Sequence, residues 1–235
     1  MQIAHSTDKI CNERELFEEL LALDGKSILE LGCGKAELTR QIASTGQGRT
    51  ITATDVDEIQ HSKNLLITDL PNVTFIKAGS EAIPLGNESI DVVFMFKSLH
   101  HVPLELMGTA LKEVRRILKP GGLAYISEPL LSGDFNEVLR LFHDEEKVRD
   151  SAFKAVEKSV TNDEFVLVDE LFFNTPMCFE NFDDFENKVI KVTHNNHQLS
   201  AGLLQQVQDA FSRHMKDDGA RFLLPLRVDL LQKKA

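Results

Sequence analysis

Paired cysteines, long apolar runs and an excess of positive charge are all missing from this sequence. Cys11, Cys33 and Cys178 have no paired spacing, which speaks against a disulfide framework or a zinc site. No apolar run approaches a membrane span, and the polar N-terminus lacks the apolar core of a signal peptide. The chain reads as soluble and cytoplasmic. Lysine and arginine number 26 against 37 aspartates and glutamates, a net charge of −11. Such a chain is repelled by a nucleic-acid backbone unless a local basic patch meets it. The basic residues that do cluster, Lys112, Arg115, Arg116 and Lys119 on one helix and Lys233-Lys234, read as solvated faces. No nucleic-acid partner is expected. Repeats and low-complexity segments are also absent, and 235 residues suit one α/β domain with an insertion.

What the sequence does contain is a short apolar run, Ile28, Leu29 and Leu31, ending in Gly32-Cys33-Gly34 and followed by Leu38, Ile42 and Ala43 at helical spacing. A buried strand, a tight glycine turn and a helix give that pattern, which opens a nucleotide-binding α/β unit. Two neighbouring positions bear on what is bound. The third glycine of a dinucleotide fingerprint would fall where Glu37 stands, and Glu30 lies two residues before the turn. A carboxylate there repels a pyrophosphate and attracts an ammonium group. The site therefore looks built for a nucleoside with a cationic tail rather than for NAD.

Here the sequence resembles the class I S-adenosylmethionine-dependent methyltransferases. Glu30-Leu31-Gly32-Cys33-Gly34 matches their first motif, and Ala36 supplies the small residue often found two positions on. Pro120-Gly121-Gly122, behind a helix with Leu106, Ala110, Leu111, Val114 and Ile117, matches the family turn that precedes the fifth strand, Leu123–Pro129. The resemblance covers residues 26–129 well and 130–235 in outline. It implies a Rossmann-like three-layer α/β/α sandwich whose seven-stranded, mostly parallel sheet has an antiparallel last strand. A helical and aromatic insertion, residues 130–200, would form a substrate lid together with the N-terminal cap, residues 1–24. Residues 201–235 would supply the last helix and the antiparallel strand.

The implied cofactor is S-adenosyl-L-methionine, with S-adenosyl-L-homocysteine as product, bound by Glu30, Gly32, Cys33, Gly34, Asp55, Val56, Ser80, Glu81 and Phe96. Asp55 ends a predicted strand 23 residues beyond Gly32, near the spacing at which an acid accepts both ribose hydroxyls. The alternative is that it merely caps the helix starting near Glu58, which Asp57 could do equally well, so the ribose role is preferred. Ser80 stands where the family commonly carries the Asp that contacts adenine, so that contact lacks charge or passes to Glu81 or to backbone. The apolar run Asp91–Phe96 reads as a central parallel strand, and Lys97 to Pro103 beyond its end should border the site. There His100 and His101 are the candidates for a general base, or they pack the loop. Lys97 and Glu128 are candidate substrate contacts, Glu128 being equally a satisfied polar residue at a strand end.

The implied reaction is in-line methyl transfer to a small organic acceptor. Rival readings are a non-catalytic protein that binds adenosylmethionine or adenosylhomocysteine, and a nucleotide-dependent oxidoreductase. In the insertion, Asp134 to about Lys158 reads as one helix; the cluster His143, Asp144, Glu145 and Glu146 invites a metal reading, but on a helix only His143 and Glu146 or Lys147 share a face, so it reads as solvated. Phe179, Phe182 and Phe185 read as core or as pocket lining. His194 and His197 lack a third ligand nearby, so no metal site is expected. Pro225 should force a bulge in the last strand, with regular pairing from about Leu226. Monomer and dimer stay open.

Overall fold

The computed structural model describes residues 1–192 and 198–234, so His194 and His197 lie outside the described residues. Strands β1 (Ser27–Leu31), β2 (Thr50–Asp55), β3 (Val73–Lys77), β4 (Ile90–Phe96) and β5 (Leu118–Pro129) are parallel to one another. Two 14-residue strands, β6 (Val166–Phe179) and β8 (Gly219–Gln232), complete the order β3-β2-β1-β4-β5-β8-β6. A two-residue strand β7 (Met215–Lys216) hairpins onto β8. β8 runs antiparallel to both its neighbours, as expected of the last long strand.

Alternation along the central strands builds two cores. Ile28, Val92, Phe94 and Phe96 face one side with Phe17 and Tyr125, whereas Leu29, Val93 and Met95 face the other with Leu111, Val114 and Ile117. Side chains in successive strand positions point to opposite faces, so an unbroken apolar run is what a strand covered on both sides requires. Helix α4 (Met107–Ile117) covers the second face with α6 (Glu146–Thr161), and α1 (Glu13–Leu20) covers the first. Truncating Phe94 to Ala, at the centre of this packing, would cost about 3–5 kcal/mol. The result is the expected three-layer sandwich.

Local signals place the helices that matter to the site. Glu15 reaches back to the Asn12 amide at 3.3 Å ahead of α1. Asp57 caps α3 (Glu58–Asn64) by accepting from the Ile59 and Gln60 amides. Helix α2 (Glu37–Ala43) starts after Ala36, which is left-handed at φ 59°.

Three expectations are corrected. The single helix from Asp134 is two, α5 (Asp134–Leu139) and α6, because Asp144 turns its carboxylate to the Glu146 amide and starts a new helix. The Pro-Gly-Gly segment belongs to β5, which pairs from Leu118, and the register shift falls between Ile90 and Val92. Pro225 causes no bulge; the irregularity in β6–β8 lies at Leu167–Asp169. Its partner Asn174 already spends its backbone N–H on Lys9 and its C=O on Cys11, so that pair needs no donor from proline. On the other side β5 pairing begins at Leu226, one residue later, as expected.

Phe179, Phe185, Phe211 and Phe222 pack ring against ring at 5.0–6.0 Å, so the aromatic cluster is mainly core. Only Phe179 of that group also reaches the cleft described next. Helix α8 (Ala201–Ser212), capped by Ser200 at the Leu203 amide, closes this cluster.

Candidate functional site

The glycine turn is pinned from three sides. Gly32 and Cys33 both donate to the Thr54 carbonyl at 2.9 Å, which ties the turn to β2. A Cβ on Gly32 would stand 2.7 Å from Ser98 Cβ, at a φ of +75°, so no side chain fits where β1 and β4 converge. Ser98 in turn donates its hydroxyl to the Leu31 carbonyl at 2.8 Å. From α3, the buried Asn64 amide donates to the Gly34 carbonyl at 2.8 Å and is itself held by Gln60 at 2.9 Å. Gly34, by contrast, has open space where its Cβ would be. It presents bare backbone to a cavity of about 1880 Å³.

That cavity gathers most of the residues singled out in the sequence. Glu30, Gly32, Cys33, Gly34, Asp55, Val56, Phe96, Lys97 and His101 all line it. Asp55 accepts from the Gly34 amide at 2.7 Å and from the Asp57 amide at 2.8 Å, which fixes its carboxylate at the cleft edge. Asp57 does the helix capping, leaving Asp55 for a ligand. The Cys33 thiol is buried, and burial raises its pKa far above the usual thiol range, so it is inert and only its backbone serves.

Glu30 is 2% exposed and accepts from the Thr39 hydroxyl at 2.6 Å. Burial pushes its pKa up to about 7, against the opposing Thr39 bond and the nearby Lys97. Near neutral pH the carboxyl is thus only half ionised until a cation arrives beside it. An ammonium group placed beside Glu30 restores its charge, whereas a phosphate placed there would be repelled by the ionised carboxylate.

Helix α1 forms one wall through a contact that no local pattern reveals. Lys97 Nζ bonds Glu13 Oε2 at 2.8 Å, and the other Glu13 oxygen is buried without a partner. Lys97 holds φ 53°, unusual for a side-chain-bearing residue and a strain that clusters at binding sites. Opposite stand Thr175, Met177 and Phe179 of β6 with residues 187–192.

Four candidates lie elsewhere. Ser80 and Glu81 follow β3 and do not line the cleft; the Glu81 carboxylate curls over Gly79. Glu128 is buried, accepts from the Leu99 and His100 amides and is bonded to His100 Nδ1. Its position is that of a satisfied strand-end carboxylate, not of a substrate contact. His100 is buried with it, in the 3-10 turn Leu99–His101. Burial works against its charge, but the Glu128 carboxylate wins and holds the imidazole pKa above the ordinary range. Only His101 of the pair faces the cleft. Asn64, Thr39 and Glu13 were not found from sequence; each acts on a partner distant in the chain.

The donor set suits the cofactor suggested above. A buried carboxyl fits an ammonium, a fixed strand-end Asp fits a vicinal diol, and open glycine backbone admits close approach. A profile described as a methyltransferase domain matches residues 28–122. The O-methyltransferase rstn1 of Aspergillus nomiae is 31% identical over 137 residues, 56% of this chain and 60% of that protein. An uncharacterized methyltransferase of Mycobacterium bovis is 31% identical over 108 residues, 46% of this chain and 42% of the other. The chain thus spans roughly half the length of these curated relatives. Among solved structures, the YcgJ protein of Bacillus subtilis matches with a TM-score of 0.65 at 15% identity, covering 94% of this chain and 98% of that one. At that identity the likeness concerns the fold.

Proposed function

We propose that this chain is a class I S-adenosylmethionine-dependent methyltransferase and that it transfers a methyl group to a small organic acceptor. The observation that carries the reading is the placement of Glu30 and Asp55 on one cavity around the glycine turn. S-adenosylmethionine, when bound, supplies an electrophilic methyl on a cationic sulfur. The chain's task is then to align the nucleophile and keep water out, which can lower a barrier by about 7–11 kcal/mol. Glu30 holds the amino-acid tail, Asp55 the ribose, and Phe96 and Val56 supply apolar wall. His101 is the imidazole on the cleft side able to take a proton from the acceptor, while His100, tied to Glu128, positions the turn that presents it. Oxygen is supported as acceptor atom by the name of the Aspergillus relative alone. The mixed charges and aromatic walls of the cleft favour a small molecule over a polymer.

Calorimetry with adenosylhomocysteine and with NADH tests the binding half. Stoichiometric binding of the first and none of the second is expected; the reverse would remove the assignment. Incubation with methyl-labelled adenosylmethionine and a panel of hydroxylated, amino and thiol acceptors tests the rest. Binding without any product would favour a regulatory protein, a reading that draws on the absence of Ser80 and Glu81 from the cleft wall.

A further inference from the structure

We propose that His100, His101 and Glu145 hold a divalent transition-metal ion of the zinc class between the turn after β4 and the foot of α6. Their candidate ligand atoms lie within 4.8 Å of one another, although Glu145 is 44 residues away in sequence from the pair's nearer member. Glu145 stands at the start of α6 and is buried, on the same face as Arg149 and Ala152.

Three observations point to an ion rather than a bare hydrogen-bond network. First, His100 Nε2 stands 3.6 Å from Glu145 Oε1, too far for a hydrogen bond. Two ligands each about 2.1 Å from a tetrahedral ion are separated by about 3.4 Å. Second, His100 is oriented as metal-bound histidines are: its Nδ1 is bonded to the Glu128 carboxylate, leaving Nε2 for the ion. Third, Glu145 is itself steered, with Arg149 on Oε2 so that Oε1 turns to the histidines. Arg149 is anchored by the Leu130 carbonyl at 3.1 Å and the Asn136 side chain at 3.2 Å. His143 Nε2 lies 2.9 Å from the same Glu145 Oε1 and would share that oxygen with the ion.

Two imidazole nitrogens and one carboxylate oxygen form a donor set for zinc and its first-row neighbours, whereas magnesium and calcium take oxygen. The ion would replace the proton on His100 Nε2 and take the basic nitrogen of His101, so the proton-accepting role given to His101 above belongs to the metal-free chain. Glu128 and Glu145 outweigh Arg149, so the pocket favours a cation. His101, exposed on the cleft side, leaves a path for entry and an open position toward the cavity.

The test uses the full chain, stripped with a chelator and dialysed, with neither adenosylmethionine nor acceptor present. Its outcome is therefore separate from that of methyl transfer. Titration with Zn²⁺ is expected to show one ion per chain and a rise in melting temperature, and Co²⁺ to give visible d–d absorption. Magnesium in excess should not displace either. His101→Ala, at an exposed position that leaves the core intact, and Glu145→Gln should each weaken Zn²⁺ binding at least tenfold. Glu128→Gln should weaken it 10–100-fold by loosening His100. Absence of binding would overturn the proposal. So would equal binding by wild type, His101→Ala and Glu145→Gln, which would put the ion elsewhere.

Discussion

Around β1 and β2, buried polar side chains are held facing a cavity. Thr39 and two backbone amides position the Glu30 and Asp55 carboxylates without neutralising them. Around β8 the buried charges face each other instead. Arg227 donates to Asp229 at 3.0 Å, lies over the Phe153 ring at 4.5 Å and reaches the Ile3 carbonyl at 3.3 Å. A charge facing open space suits a binding site; the Arg227–Asp229 pair, both residues on β8 and closed in by protein, ties that strand to α6 and to the N-terminal segment. The difference teaches that burial alone does not mark function. What marks it is burial with a face left open.

The sharpest way to break this contrast is Arg227→Ala. It leaves Asp229 buried without its cation, which should cost about 3–5 kcal/mol in urea unfolding. Adenosylhomocysteine affinity should stay within about twofold. A large loss of affinity at unchanged stability would erase the distinction between the halves.

Glu30 should show a pH signature next in size. Its folded pKa of about 7 lies above the ordinary carboxylate value of 4.5, so folding binds a proton. The stabilisation is complete below the unfolded pKa and is lost as pH rises through about 7. The expected decline is about 3 kcal/mol in wild type relative to Glu30→Gln, read from unfolding curves at several pH values. Saturation with adenosylhomocysteine should shrink it, because the ligand's ammonium stabilises the charged form. At pH 8 the Glu30→Gln protein should bind adenosylhomocysteine about 30-fold more weakly, a loss of about 2 kcal/mol by calorimetry. The smallest effect is expected from Asn64→Ala, which removes the prop under the Gly34 carbonyl. About 1 kcal/mol of stability and a severalfold loss of affinity should go together.

The same boundary separates what could be read from sequence from what could not. Gly32, Gly34 and Asp55 were legible because strand, turn and helix follow one another within a few residues, and backbone constraints write themselves into residue type. Lys97 and Glu13 meet across 84 residues, and nothing local encodes that meeting. Glu145 was passed over because its charged cluster reads as a solvated face, whereas its partners Arg149, His143 and His100 are brought to it by the turn between α5 and α6 and by the turn after β4. Glu128 could be placed at a strand end but not oriented, since its fate depends on where the next turn sends the Leu99 and His100 amides. Pro225 misled because its tolerance is set by Asn174, a residue whose own backbone is busy with the N-terminal segment.

β5 and β6 are neighbours only by way of β8, which is synthesised after both. A chain growing on the ribosome therefore leaves the edge of β5 bare, and β6, whose partner in the sheet is β8, has no strand to join. Until the final hairpin arrives, any extended peptide of alternating pattern can slide in, including the same segment of another copy. Crowded expression should thus favour exchanged dimers, and slowing translation before Gly219 should favour them further.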